Sequence, residues 1–245
     1  MHMPFERRLA IAGTFNIRDL GGYGLAGGST GWRRVLRGDG LHRLDADGVA
    51  ALKGAGVSTV IDLRRAEELE QHPNPLTGEP DVTYVNISLF DELAPSAMAA
   101  DDVLYDLYIQ ALMGRGDRIV DVLTTIADAP DGIVLFHCTA GKDRTGLIAA
   151  LLLALAGVED DQIVEDYALT KTFLEPAIAD FVADAAARGV DVESFRSLLA
   201  CEPETMARTL AFIAGRHGSV ATYLSAIGLE ETSAERLRAR LSEIA

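Results

Sequence analysis

The sequence predicts an α/β protein with a mostly parallel central sheet flanked by helices. Three observations carry that expectation. Strand-like and helix-like segments alternate up to about residue 156, and the chain after Gly157 holds only helical patterns. Between them, the apolar run Gly132-Ile133-Val134-Leu135-Phe136 enters a short Gly-containing loop, from which Leu147 to Ala156 leaves as a helix.

In order, the Gly-rich stretch from Gly21 to Gly31 reads as turns around short strands, and Trp32 to Arg37 is the clearest strand near it. Leu44 to Gly54 has a helical pattern with Asp45 as N-cap. Val57 to Leu63 reads as a buried strand, followed by a charged helical start from Arg64 to Gln71. Pro73-Asn74-Pro75 marks a loop, and Val82 to Ile87 alternates as a strand does. Helices are expected over about Ala99 to Met113 and Asp117 to Ala129, and the strand ending at His137 completes the alternation. Beyond Gly157, Thr172 to Arg188 is predicted as one amphipathic helix with Phe173, Ala177, Phe181 and Ala185 on a face. Pro203 to Arg216, Ser219 to Ile227 and Ser233 to Ile244 form a helical tail.

Length and composition fit one soluble domain over residues 1–245: 49% of residues are apolar and 24% charged, enough to bury a large core. The apolar run Leu147 to Ala156 is half the length of a membrane span, so it reads as a helix buried on all sides, and no stable membrane insertion is expected. A net charge of −15 disfavours nucleic acid and anionic membranes as partners, and an anionic substrate must be captured by local positive potential. No apolar signal-peptide core precedes Asn16, and two cysteines make no disulfide framework, so a reducing cytoplasm is the expected compartment. Export without a recognisable signal, and oligomeric state, stay open.

The chemistry concentrates in His137-Cys138-Thr139-Ala140-Gly141-Lys142-Asp143-Arg144-Thr145-Gly146. A tight loop from a strand into a helix gathers backbone N–H groups into an anion-binding nest, and a cysteine set in such a nest is favoured as the thiolate, the nucleophilic form. Arg144 supplies a planar fork that binds two phosphate oxygens at once, which lysine cannot do. The amides from Thr139 through Lys142 would hold phosphoryl oxygens, with Gly141 and Gly146 permitting the turn and close approach. Thr145 could donate to the sulfur, and His137 could brace the loop from behind. The plain alternative, an inert core cysteine, leaves Gly, Lys, Asp, Arg and Thr unexplained in an otherwise apolar setting. The loop is not a nucleotide-binding P-loop, because Asp143 follows Gly141-Lys142 and Phe136 stands where the first glycine belongs.

His-Cys-Thr-Ala-Gly-Lys-Asp-Arg-Thr-Gly resembles the H-C-x-x-G-K-D-R-T-G form of the protein-tyrosine-phosphatase signature, and more narrowly that of the bacterial atypical tyrosine/serine phosphatases. Asn16-Ile17-Arg18-Asp19 resembles that family's N-x-R-D, Asp62-Leu63-Arg64 its D-L-R, and Ile163 to Tyr167 its helix after the signature. The likeness implies a phosphatase-like fold, a phosphocysteine intermediate, no metal or other cofactor, and a helical lid over about residues 158–200. It also implies a phosphorylated protein or phosphoinositide as substrate. A general acid must reach the leaving oxygen. The only tryptophan, Trp32, lies in no W-P-D motif, and the resemblance points to Asp91, with Asp143 as rival. The alternative roles for Asp143 are fixing loop geometry and positioning water.

Lys142 reads equally as charge near the phosphate or as a solvent-facing residue. Arg18, Asp19 and Arg64 read as buried ion-pair or loop-bracing residues. Cys201 reads as packing, with a disulfide to Cys138 as the alternative. Rival functions are a small-molecule phosphatase acting on inositol phosphates or nucleotides, a silent phospho-binding module, and a rhodanese-like sulfurtransferase.

Overall fold

A computed structural model describes residues 6–90, 103–187, 189, 191–192, 199 and 201–242. Its five-stranded sheet has the order β1-β4-β7-β5-β6, where β1 is Arg18–Asp19, β4 Val35–Gly38, β5 Val57–Asp62, β6 Thr83–Asn86 and β7 Ile133–His137. Only β1 runs antiparallel; β4, β7, β5 and β6 are parallel. A separate two-residue-per-strand hairpin, β2 (Gly24–Leu25) and β3 (Gly28–Ser29), stands in the Gly-rich stretch.

The sheet is apolar on both faces because β7 is buried end to end and its residues alternate between two cores. Val134 and Phe136 join the larger one, which includes helices α3 (Val103–Gly114), α4 (Gly116–Asp128), α5 (Asp143–Ala156) and α6 (Asp160–Leu174). Ile133 and Leu135 join Leu41, Leu44 and Leu52 on the opposite face, beside α1 (Ala46–Gly54). Asp45 caps α1 as expected, accepting from the Gly48 amide at 2.9 Å. The charged segment after β5 contributes α2 (Ala66–Gln71).

Two expectations shift. The helix foreseen over Thr172 to Arg188 is two: α6 ends at Leu174, Glu175–Ala177 tighten into a 3₁₀ turn, and α7 runs Ile178–Ala187. Pro176 is the reason, since it cannot donate to a continuing α-helical ladder. The first strand of the main parallel set also starts at Val35 rather than Trp32. The tail follows as α8 (Pro203–His217), α9 (Val220–Ala226) and α10 (Glu231–Leu241). Among the described residues no helix is long and apolar enough to cross a membrane.

Register places the site. Gly38 pairs with His137, and Asp62 pairs with both His137 and Asn86, so β4, β7, β5 and β6 end level. The loops leaving them meet at the carboxyl edge of the sheet, where open parallel sheets take ligands.

Candidate active site

The loop between β7 and α5 sits at this edge. Its carbonyls are held from behind in succession. Cys138 O lies 3.0 Å from His137 Nδ1, and Thr139 O accepts from the Gly40 amide at 2.9 Å. The Asn16 side-chain amide donates to Ala140 O at 3.1 Å and Gly141 O at 3.2 Å, and Arg37 donates to Gly141 O at 2.8 Å. In a planar trans peptide the N–H points opposite to its C=O. Four carbonyls bonded backward therefore aim the N–H groups of Thr139, Ala140, Gly141 and Lys142 the other way. Gly141 makes the turn at φ +68°, where a Cβ would lie 2.5 Å from Gly38 O.

Behind the loop lies a buried charged framework. Asp166 of α6 accepts from Arg18 at 2.9 Å and from the Tyr23 hydroxyl at 2.8 Å, and it also pairs with Arg37. Burial disfavours the Asp166 carboxylate, but Arg18 and Arg37 outweigh that and hold it well below the usual range. His137 Nε2 lies 3.0 Å from Asn74 and 3.3 Å from Asp62, which in turn pairs with Arg64 at 2.7 Å. There too burial is outweighed, by His137 and Arg64, and Asp62 is held low. Arg18, Asp19 and Arg64 are thus the buried braces that the sequence suggested.

In front of the loop is a cleft of about 290 Å³. Cys138, Thr139, Ala140, Asp143 and Arg144 line it from the loop and α5; Arg64, Arg65 and Glu68 from the segment after β5; His42 and Arg43 from that after β4; and Phe90 and Phe181 from the two remaining sides. Cys138 is only 2% exposed, at its base. Arginines thus concentrate on one cleft of a chain whose net charge is −15. Burial and then neighbouring His72 and Arg43 push His42 down to about 4, leaving it neutral at pH 7.

Arg144 makes a two-pronged pair with Glu68 at 2.6 and 2.9 Å. The same carboxylate accepts from the Thr139 hydroxyl and, at 3.0 Å, from the Arg65 amide, capping α2. Burial would raise Glu68, but Arg144 and Thr139 prevail and hold it at about 2. For Arg144, burial works against the charge, whereas Cys138 and Glu68 support it and raise it above its ordinary value. Glu68 is the site residue that sequence reasoning missed; its one signal was its place as the third helical residue after Arg65, in a capping box.

The remaining expected residues divide. Thr145 lies at the start of α5 with its hydroxyl buried and without a hydrogen-bond partner among the described residues. Asp143 lines the cleft. Lys142 corrects one reading: it is 1% exposed with Nζ 3.3 Å from Asp143, so it is no solvent-facing charge, and its side chain does not line the cleft. Asp91 lies outside the described residues, one position beyond Phe90 of the cleft wall. Cys201 packs with its thiol 3.2 Å from Tyr167 O, and both cysteines are free.

The fold is that of an α/β protein with a loop at the carboxyl edge of a parallel sheet, its carbonyls bonded backward and its cysteine and arginine lining one cleft. The chain belongs to the tyrosine phosphatase family, whose model matches residues 9–243, and it is a phosphoric monoester hydrolase. It is 37% identical over 220 residues to a tyrosine-protein phosphatase of Nostoc commune, covering 83% of this chain and 71% of the relative. It is 27% identical over 287 residues to the triple specificity protein phosphatase PtpB of Mycobacterium tuberculosis, covering 93% and 96%. Among solved structures, P. aeruginosa TpbA aligns with 67% of this chain and 85% of its own at 22% identity and a TM-score of 0.37.

Proposed function

We propose that the chain hydrolyses phosphotyrosine in proteins through a phosphocysteine on Cys138. The observation that carries this reading is the convergence of Cys138, Arg144 and the inward amides on one cleft. The Cys138 thiolate attacks phosphorus while Arg144 and the amides of Thr139 to Lys142 hold the non-bridging oxygens. The P–O bond to tyrosine breaks, and a carboxylic acid, Asp91 or Asp143, protonates the departing phenolate. Water then attacks the phosphocysteine, giving inorganic phosphate and the free thiolate, with Thr145 donating to the leaving sulfur. Glu68 holds the Arg144 fork in plane for this work.

Residues 1–245 act as one phosphatase domain; of the segment expected as a lid, about 158–200, α6 instead braces the loop from behind through Asp166, and the covering part begins at Leu174. Leu174, Ala177 and Phe181 pack together with Phe15 and with Ala140 of the loop, supporting that role. The test is a substrate panel of phosphotyrosine peptide, phosphoserine and phosphothreonine peptides, a phosphoinositide and inositol phosphates, with wild type and Cys138→Ser. The account expects phosphotyrosine to be turned over fastest and Cys138→Ser to be inactive throughout. A preference for inositol phosphates over every peptide would replace the protein substrate with a small molecule. The mycobacterial relative is named a triple specificity phosphatase, which is why the panel extends beyond phosphotyrosine.

A further inference from the structure

Behind Asp143, two buried phenols form a hydrogen-bonded ladder that the proposed chemistry leaves unused. Tyr108 of α3, fully buried, places its hydroxyl 2.7 Å from Asp143 Oδ1 and 2.9 Å from the Tyr167 hydroxyl of α6. A phenol has one proton to give. Tyr108 spends it on the carboxylate, which only accepts, so the Tyr167 proton points to the Tyr108 oxygen. The rings meet edge to face at 88°, and the Cys201 thiol donates to the Tyr167 carbonyl, which fixes the outer end of the ladder. Lys142 Nζ approaches the same Oδ1 at 3.3 Å. The Tyr108 hydrogen bond and the Lys142 ion pair both fall on this one oxygen and hold the carboxyl group from its side. Among the described residues no side chain donates to Oδ2, the oxygen left for the cleft that Asp143 lines.

We propose that Tyr108, backed by Tyr167, is a positioning residue that aims Asp143 Oδ2 at the reacting phosphoryl group, where it exchanges a proton with the leaving oxygen or the attacking water. This rests on the cysteine mechanism proposed above. Neither phenol touches the loop amides or Arg144 in the contacts that fix them, so substrate capture is separate from this alignment.

The experiment is a double-mutant cycle on para-nitrophenyl phosphate with Tyr108→Phe, Asp143→Asn and the pair, and Tyr167→Phe beside them. A hydrogen bond to a charged group sets the size: Tyr108→Phe lowers kcat by about 10- to 100-fold. KM stays within about twofold because the phosphate contacts are untouched. In the Asp143→Asn background, Tyr108→Phe has no further effect, since residues that act through one another are non-additive. Tyr167→Phe, which keeps the bond to Asp143, gives a smaller fall in kcat with the same unchanged KM. Additive losses in the pair, or a kcat of Tyr108→Phe equal to wild type, would overturn the proposal. If Tyr108→Phe fails to fold, the same KM-against-kcat split in Tyr167→Phe decides it: a rise in KM or an unchanged kcat overturns the role. Failure of the underlying mechanism has a separate mark, activity in Cys138→Ser.

Discussion

Asp166→Asn isolates the framework that holds the loop. The Asp166 carboxylate is 1% exposed and answers two buried guanidinium groups, Arg18 and Arg37, as well as the Tyr23 hydroxyl. Asparagine keeps the shape but removes the charge, and its NH₂ turns a donor toward groups that themselves donate. Removing one partner of a buried ion pair costs about 3–5 kcal/mol, because the surviving charge stays desolvated and unanswered. In a chain of this size 1 kcal/mol moves Tm by about 2–4 °C, so Tm should fall by about 6–20 °C. Asp161→Asn, exposed on the same helix, is the control and should change stability by under about 0.5 kcal/mol. Circular dichroism melts of the three proteins read the difference. Because Arg37 also donates to Gly141 O, the folded fraction of Asp166→Asn should show a raised KM for para-nitrophenyl phosphate. A Tm within 3 °C of wild type (about 1 kcal/mol) would refute the reasoning that this carboxylate neutralises the two arginines.

Other expectations follow from single contacts. Thr145→Val removes a buried hydroxyl with no hydrogen-bond partner among the described residues, so stability should change by less than about 1 kcal/mol while steady-state turnover falls about 10- to 100-fold. Stopped-flow release of nitrophenol should keep its first-turnover burst, and an unchanged steady state would remove Thr145 from the mechanism. Gly141→Ala forces a Cβ into the Gly38 carbonyl, so the loop must move; a displacement on the order of 1 Å should cost about 100-fold in kcat/KM. Wild-type activity in that variant would show that the loop tolerates a side chain there. Glu68 is held at about 2, below its unfolded value, so its contribution to stability is complete above the unfolded pKa of about 4.5 and is lost as pH falls toward 2. Urea midpoints of wild type and Glu68→Gln should therefore differ at pH 7 and converge near pH 2; a gap that widens in acid would contradict the pairing with Arg144.

Much of this was legible because it is local. The run Ile133 to Phe136 is apolar at every position, as a strand covered on both faces must be, and Asp45 sits where a helix needs an oxygen acceptor. The cysteine loop is contiguous, so its residue types can be read together as a candidate anion site. The missing parts are far apart in the chain. Glu68 reaches Arg144 across 76 residues and Asn16 reaches the loop across 124, and no periodicity carries information over such spans. Lys142 shows the same limit at short range: a lysine in a loop is readable, but its burial against Asp143 depends on how α5 packs. The split at Pro176 was readable, since proline brings no N–H to a continuing α-helical ladder, and the amphipathic spacing masked it.

The central claim is that Cys138 carries the phosphoryl group between substrate and water. Acid-quenching the enzyme during turnover of a phosphotyrosine peptide, then mapping the adduct by peptide mass spectrometry, tests it directly. The account predicts a phosphoryl adduct on the peptide bearing Cys138 in wild type, and neither adduct nor turnover in Cys138→Ser. Turnover that survives in Cys138→Ser, or an adduct on another residue, would contradict it.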